Sequence, residues 1–263
     1  MILEKLEGVN LKKKIKQLII QYVKDYSKRK EIDTKWREPI VKFADANDDR
    51  FVKLKEVVSS THALPKDFLD DAKTVIAYFI PFDEVVINSN IAGKYSSKEW
   101  AKAYIETNEL ILKLNKHIKK KLNDLDYNST IIPATDNVDK DNLISDWSHR
   151  HVADIAGLGR FGLNNMLITD KGCCGRVGSI VTNLKIEPTK RVDKEYCLYK
   201  SKGICKKCVE RCVNNALKVD SFDRNKCYEI LLDNDELHSE LEVTETCGKC
   251  SVNLPCSFVN PVK

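Results

Sequence analysis

The sequence predicts an α/β protein in which an α/β layer domain precedes a small cysteine-rich domain. Three observations carry this prediction. Before about residue 186, β-rich apolar runs alternate with amphipathic helical segments. All ten cysteines lie between residues 173 and 256, and the sequence after residue 187 becomes rich in Lys and Cys. We therefore expect a domain boundary between residues 1–186 and residues 187–263.

The composition is that of an ordinary globular protein. The chain has 263 residues, of which 42% are hydrophobic and 32% are charged, so it can bury a core and is too apolar to be disordered. No run approaches the roughly 18 consecutive apolar residues of a membrane helix, and early acidic residues argue against a signal peptide. We expect a cytoplasmic protein without membrane contact, in a compartment where disulfides are rare.

The first 30 residues carry the excess of positive charge. They contain nine Lys or Arg and three Asp or Glu, whereas the rest of the chain is close to neutral. Apolar residues recur there at helical spacing, which predicts an amphipathic helix with a basic outer face. These residues are Leu11, Ile15, Leu18, Ile19, Tyr22, Val23 and Tyr26. Such a face is usually solvated, and contact with phosphates is the alternative.

Strand and helix patterns alternate in the middle of the chain. Residues 74–82 form a continuous apolar run that predicts a buried strand. A long helix is expected after it, because Ser96 and Glu99 have the spacing of a capping box. Further strands are predicted over residues 129–134, 166–169 and 179–182, and a short helix over residues 146–156.

Eight of the cysteines fall into two groups of four. The groups are Cys197, Cys205, Cys208 and Cys212, then Cys227, Cys247, Cys250 and Cys256. In a reducing compartment, clustered cysteines indicate metal binding or catalysis rather than disulfides. Two sets of four thiolates match the requirement of two [4Fe–4S] clusters. Two zinc sites of four thiolates each would use the same residues, and disulfides are the third alternative.

The first group contains a C-x2-C-x3-C run that resembles the bacterial ferredoxin signature. In that signature the last cysteine binds the other cluster. The resemblance therefore implies a ferredoxin-like domain in which the two groups cross over. One cluster would be held by Cys197, Cys205, Cys208 and Cys256, and the other by Cys212, Cys227, Cys247 and Cys250. The sequence departs from the signature at Val213, where proline is usual, and in the seven-residue gap after Cys197.

The two remaining cysteines, Cys173 and Cys174, are adjacent in the chain. Adjacent side chains do not easily face one site. We therefore expect both to be small buried residues, with a redox role as the alternative.

Gly157, Gly159 and Gly162 form a G-x-G-x-x-G pattern. A dinucleotide-binding loop with this pattern follows a strand and opens a helix, whereas here the pattern follows a predicted helix and precedes a predicted strand. The context therefore argues against a dinucleotide site. The glycines instead indicate close approach of the backbone to a flat or bulky group, or a simple turn.

The sequence around these glycines resembles the core of the epoxyqueuosine reductase family. The resemblance covers roughly residues 70–260. It is strongest to short clostridial and archaeal relatives, and the wider group includes reductive dehalogenases. It rests on Ser148-His-Arg-His151, Ala156-Gly-Leu-Gly159, Phe161-Gly162, Asn164, Leu167-Ile-Thr169, Gly178-Ser-Ile-Val-Thr182, Cys227-Tyr-Glu and Cys247-Gly-Lys-Cys250.

The resemblance implies a nitroreductase-like domain that binds cobalamin in its base-off form, beside a ferredoxin-like domain with two [4Fe–4S] clusters. Electrons from a low-potential ferredoxin or flavodoxin would pass through the clusters to cobalamin, for reduction of tRNA or a small-molecule substrate. The residues that would contact cobalamin are Gly157, Gly159, Gly162, Asn164, Ser179 and Thr182. The alternative function is that of an electron-transfer protein, or a reductive activator of a corrinoid protein, without a substrate of its own.

The resemblance also places a catalytic acid shortly before Gly157. The family's D-x-x-P-x-x-E-R segment is absent there, and the local carboxyls include Asp141 and Asp146. We expect Asp141 to be the acid, with Asp146 as the alternative, although Asp146 could instead stabilise a helix N-terminus. His149 and His151 are further proton-donor candidates, and hydrogen-bonded structural histidines are the alternative for both.

Overall fold

The structure is a computed structural model that describes residues 2–133, 138–139 and 142–262, with side chains for residues 11–133 and 142–262. The first part of the chain forms α1 (Ile2–Tyr26), β1 (Ile40–Asp45), α2 (Arg50–Val57), α3 (Pro65–Phe68), β2 (Thr74–Pro81), α4 (Glu84–Ser89), α5 (Lys98–Asn123), β3 (Ser129–Ile131), β4 (Val138–Asp139), β5 (Ile144–Ser145), α6 (His149–Ile155), β6 (Gly159–Phe161), β7 (Leu167–Thr169) and β8 (Gly175–Thr182). The last part forms α7 (Leu198–Lys202), α8 (Lys207–Glu210) and α9 (Arg224–Leu237).

The central element is a four-stranded sheet in the order β1-β2-β8-β3. All three pairings are antiparallel, so the fold is the α+β form of the predicted class. Strand β2 lies between β1 and β8 and is buried in all eight residues, which confirms the strand predicted over residues 74–82. Its β-branched and aromatic side chains suit a strand that is covered on both faces.

Alternate residues of β2 face two separate cores, because successive side chains of a strand point to opposite faces. Ile76, Tyr78 and Ile80 pack with apolar residues of α1 and α5. Val75, Ala77 and Phe79 pack with residues of α2 and α6. The sheet is therefore covered by helices on both sides, and α6 and β8 meet on the second side.

The two longest helices, α1 and α5, lie side by side on one face of the sheet. In α1 the apolar positions Ile15, Ile19, Val23 and Tyr26 are buried, which confirms the helix that their spacing predicts. No helix within the described ranges is long and apolar enough to cross a membrane.

Two predicted helix starts are wrong by a few residues. Helix α5 is capped by Ser97, whose Oγ accepts from the Trp100 backbone N–H at 3.1 Å. The expected cap, Ser96, is buried, and its own N–H donates to Asn234 at 2.7 Å. Helix α6 begins at His149 rather than at Asp146.

The chain after residue 187 packs closely against the sheet and its helices. It contains short helices and, among its described residues, an isolated bridge between Leu217 and Phe222 in place of named strands. Side chains of the first part donate to carbonyls of the second: Arg37 to Phe258 (3.0 Å), Asn90 to Cys247 (2.8 Å) and Asn164 to Cys250 (2.8 Å). A separate ferredoxin-like domain over residues 187–263 stays a prediction.

Candidate functional site

A partly open cavity in the cysteine-rich part collects four cysteine side chains. We call Cys197, Cys205, Cys208 and Cys256 the first thiol set. All four line the cavity, whose apolar walls include Leu163 and Leu254. Burial first, and the other three thiols after it, raise the pKa of Cys208 to about 12. The structure thus brings together the four residues predicted to hold one cluster.

The backbone around the first thiol set turns sharply between its cysteines. Cys197 caps the start of α7, and Gly203 ends that helix in the left-handed conformation with φ of 69°. Cys205 follows with φ of 78°, which is uncommon for a residue other than glycine. These two turns return the chain toward α8, where Cys208 is buried. Strained backbone of this kind is common at ligand sites.

The other four predicted ligands are electrostatic neighbours of one another. We call Cys212, Cys227, Cys247 and Cys250 the second thiol set. Burial first, and the Cys247 and Cys212 thiols after it, raise the pKa of Cys227 to about 11. The pKa of Cys250 is raised by burial first and then by the other three thiols of its set, with a smaller effect from Cys208. The two sets therefore approach each other at Cys208 and Cys250.

The spacing of these thiols bears on which metal they could hold. All ten cysteines are free thiols. Within the described residues, no three His, Cys, Asp or Glu side chains close around a point that a single metal ion could occupy. Thiolates around one zinc ion stand about 3.8 Å apart, because each lies about 2.3 Å from that ion in tetrahedral geometry. Thiolates of a four-iron cluster bind different irons, and the choice between two iron–sulfur clusters and two zinc sites stays a prediction.

The loop after α4 cradles the C-G-K-C segment of the second thiol set. Gly248 has φ of 70°, and a Cβ at this position would overlap the ring of Trp100, so only glycine fits. Asn90 donates through Nδ2 to the Cys247 carbonyl at 2.8 Å. Lys249 is 1% exposed, and burial lowers its pKa while the nearby Cys247 thiol opposes this.

Arg150 lies near the second thiol set, with Arg176 beside it. The Arg176 guanidinium lies 4.4 Å from the centre of the Tyr104 ring. Desolvation lowers the pKa of Arg150, and Arg176 lowers it further, while the Cys227 and Cys250 thiols oppose this. The Arg150 side chain is exposed.

The predicted cobalamin contacts mostly have partners within the chain. A Cβ on Gly159 would overlap the Ile168 carbonyl, and one on Gly162 would lie 2.6 Å from the Asn164 amide oxygen, so the β6–β7 hairpin itself requires both glycines. Gly157, with φ of 79°, packs against the Arg191 backbone. The Asn164 amide donates to the Cys250 carbonyl at 2.8 Å.

The two hydroxyl residues of the predicted cobalamin site are buried. Thr182 donates to the Asn128 carbonyl at 2.8 Å. Ser179 accepts from the Trp147 indole N–H at 3.1 Å and contacts His149 Nδ1 at 2.8 Å. The side chains of Asn164, Ser179 and Thr182 are therefore hydrogen-bonded within the chain, and contact with a corrin stays a prediction.

A hydrogen-bond network fixes the protonation of His149. Its Nε2 lies 3.1 Å from the Pro133 carbonyl, which can only accept, so Nε2 carries the proton. Nδ1 must then accept from Ser179. Burial lowers the pKa of His149 to about 4, and that of His151 to about 4 as well. Both histidines are therefore neutral near pH 7, and neither is a ready proton donor.

The structure describes only one of the two candidate acids, Asp141 and Asp146. Asp141 lies outside the described residues. Asp146 is exposed, and its carboxylate accepts from the Thr61 hydroxyl at 2.5 Å. A carboxyl that stays protonated near neutral pH needs desolvation, which this position does not provide. The helix-capping role suggested for Asp146 is also wrong, because Ser148 precedes α6.

Cys173 and Cys174 are buried, at 2% and 1% exposure. The Cys174 thiol donates to the Ser251 carbonyl at 3.0 Å. The Cys173 backbone N–H donates to the Cys256 carbonyl at 2.9 Å, and contact with the Cys173 thiol raises the pKa of Cys256. Cys173 therefore lies against a member of the first thiol set, a contact that the sequence did not indicate.

Comparison with solved structures shows which fold this is. An epoxyqueuosine reductase structure superposes with a TM-score of 0.56 and 18% identity over 95% of this chain and 66% of that one. The chain has the fold of epoxyqueuosine reductase. The enzyme from Streptococcus thermophilus gives a TM-score of 0.53 and 18% identity over 92% of this chain and 67% of that one.

A catabolic reductive dehalogenase in complex with 3-bromo-4-hydroxybenzoic acid gives a TM-score of 0.55 and 16% identity over 85% of this chain and 30% of that one. This chain thus spans about two thirds of the epoxyqueuosine reductases and under a third of the dehalogenase. No family model matches the sequence, and no curated protein matches it. The family resemblance seen in the sequence is confirmed at the level of the fold.

Three residues of the site were missed by the sequence analysis. Arg150 and Arg176 carry no pattern that distinguishes them from surface arginines, because only folding brings α6 and β8 together. Lys249 lies inside the C-G-K-C segment, where lysine is an unremarkable residue. Its burial depends on the loop after α4, more than 150 residues earlier in the chain.

Proposed function

We propose that the protein is an iron–sulfur oxidoreductase of the epoxyqueuosine reductase type, with two [4Fe–4S] clusters that pass electrons to a base-off cobalamin for substrate reduction. The observation that carries the proposal is that Cys197, Cys205, Cys208 and Cys256 line one cavity, in a chain with the fold of epoxyqueuosine reductase. The first thiol set would hold one cluster and the second set the other.

The second thiol set supports electron delivery to a group bound at Arg150. Arg150 is exposed and interacts electrostatically with Cys227 and Cys250, so a group bound there would lie close to that set. Cobalamin bound there would supply a metal centre at which the substrate is reduced. Arg150 and Arg176 would bind and orient anionic parts of the cofactor or substrate.

The proposal also includes a substrate and an electron donor. An epoxyqueuosine reductase structure contains a tRNA stem loop, which makes tRNA one candidate substrate, and the dehalogenase makes a small aromatic molecule another. A low-potential ferredoxin or flavodoxin would be the donor. Asp141 is the proposed acid, since Asp146 is exposed and the buried histidines are neutral.

The test is an anaerobic titration of the protein with cobalamin, followed by visible spectroscopy. The proposal expects a change to the base-off spectrum that saturates at one cobalamin per chain. Arg150→Met should weaken binding, because it removes an exposed cation that would bind anionic parts of the cofactor. Arg29→Met is the matched control, since Arg29 lies over the Tyr26 ring on α1.

A spectrum that stays base-on at saturating cobalamin would contradict the cobalamin proposal. In that case the alternative function applies, which is an electron-transfer protein or a reductive activator of a corrinoid protein. That alternative is favoured by the internal hydrogen bonds of Ser179 and Thr182. Reduction of a separate corrinoid protein by the loaded clusters would then support it.

A further inference from the structure

Lys249 is a buried charge that lies between Cys247 and Cys250 in the sequence of the second thiol set. Among the side chains that the structure describes, it is the only Lys, Arg, Asp or Glu that is buried. Its Nζ donates to the carbonyls of Asn90 at 2.9 Å and Ala92 at 2.7 Å. Hydrogen bonds to carbonyl oxygens favour the charged form of the amine. The loop after α4 therefore holds an ammonium group at this place.

This ammonium has no carboxylate partner among the described residues. Burying a charge without a counter-charge is costly, so the fold needs a source of negative charge close by. The Cys247 thiol is the acidic group that interacts with Lys249. Deprotonated thiolates of the second thiol set would supply the missing charge.

The first thiol set lacks an equivalent cation within the described part of the chain. None of the described residues that line its cavity is a lysine or an arginine. Lys207 precedes Cys208 just as Lys249 precedes Cys250, so the two lysines occupy the same position of a C-x2-C motif. Lys207 is exposed, however, whereas Lys249 is buried.

We propose that Lys249 is the fixed counter-charge of the second thiol set and makes the centre held there easier to reduce than the centre held by the first set. This inference rests on the proposed iron–sulfur clusters. One electron enters the centre, no bond breaks and no proton is needed. The reduced centre carries one more negative charge, which a buried cation stabilises because little solvent screens the interaction. The exposed Lys207 charge is screened by water and salt.

The experiment is an anaerobic redox titration of the cluster-loaded protein, monitored by electron paramagnetic resonance. It compares the unaltered protein with Lys249→Met and with the matched control Lys207→Met. In Lys249→Met, the equilibrium constant for reduction of one centre should fall about tenfold. The reduction potential of that centre should therefore fall by about 59 mV for one electron. The other centre should keep its potential, and Lys207→Met should leave both potentials unchanged. Equal shifts in the two variants, or no shift in Lys249→Met, would overturn the inference.

Two further measurements test the inference if the Lys249→Met protein does not assemble its clusters. Lys249→Arg keeps the charge and should keep the potential of the unaltered protein. In the unaltered protein the two centres should titrate at different potentials, and the higher one should be the centre that Cys250→Ser disturbs. Two equal potentials, or the higher one surviving in Cys250→Ser, would overturn the inference alone. A chain without iron would overturn the proposed function with it.

Discussion

At the scale of single residues, burial decides which polar groups are available for chemistry. His149 is the clearest case, because both ring nitrogens are held within the chain by Ser179 and Pro133. The sequence could place histidines near the candidate site, and it left open whether they donate protons or hold structure. The structural role follows from the folded positions of three residues. Ser179 and Pro133 hydrogen-bond to the His149 ring, and Trp147 donates to Ser179.

The buried histidine predicts how stability depends on pH. Unfolded His149 binds a proton near its ordinary pKa of 6.5, whereas the folded protein resists this until about pH 4. The unfolded state therefore binds more protons between these values, and the free energy of unfolding falls as the pH drops below about 6.5. A single such group contributes up to about 1.4 kcal/mol for each pH unit.

His149→Gln should remove this contribution. Denaturant unfolding at pH values between 7.5 and 5.5, followed by circular dichroism, measures it. The loss of stability on acidification should be smaller in His149→Gln than in the unaltered protein. Equal losses in the two proteins would show that His149 is not the titrating group.

At the scale of elements, apolar pattern predicted the long segments and the strands β3, β7 and β8, and it missed β1 and β6. The buried strand β2 and the helix α1 have long apolar patterns, and both are confirmed. The edge strand β1 was missed because Lys42 and Asp45 interrupt its apolar residues. Strand β6 was missed because its glycine pattern indicates a turn, whereas Gly159 pairs with Thr169 of β7.

Gly248 offers a test of how α5 holds the second thiol set. Gly248→Ala should destabilise the protein for two reasons, since φ of 70° disfavours alanine and its Cβ would overlap Trp100. Gly93 is a matched control, because it has φ of 71° and no atom within 4 Å of the Cβ position. Gly93→Ala should cost about 1–2 kcal/mol for backbone conformation alone, and Gly248→Ala about 1–3 kcal/mol more for overpacking.

Denaturant unfolding of the two glycine variants gives both free energies. The spectrum of the second centre gives an independent readout, because displacing Trp100 would move Cys247 and Cys250. Equal destabilisation by the two substitutions would mean that Trp100 yields readily and does not position the segment.

At the scale of the whole molecule, the fold brings together cysteines that lie far apart in the sequence. The ferredoxin signature predicted which cysteines belong together, and the cavity lined by Cys197, Cys205, Cys208 and Cys256 unites the first four. The sequence could not predict that the cysteine-rich part is anchored through Asn90 and Asn164. Those contacts join segments far apart in the chain, and no local pattern carries them.

The measurement that tests the account most directly is the iron and acid-labile sulfide content of anaerobically purified protein, with Mössbauer spectroscopy to identify the iron. Two four-iron clusters require about eight irons and about eight sulfides per chain. Cys250→Ser should lower the content, whereas Cys174→Ala should leave it unchanged, because the Cys174 thiol donates to the Ser251 carbonyl. About two zinc ions per chain with no sulfide would contradict the account.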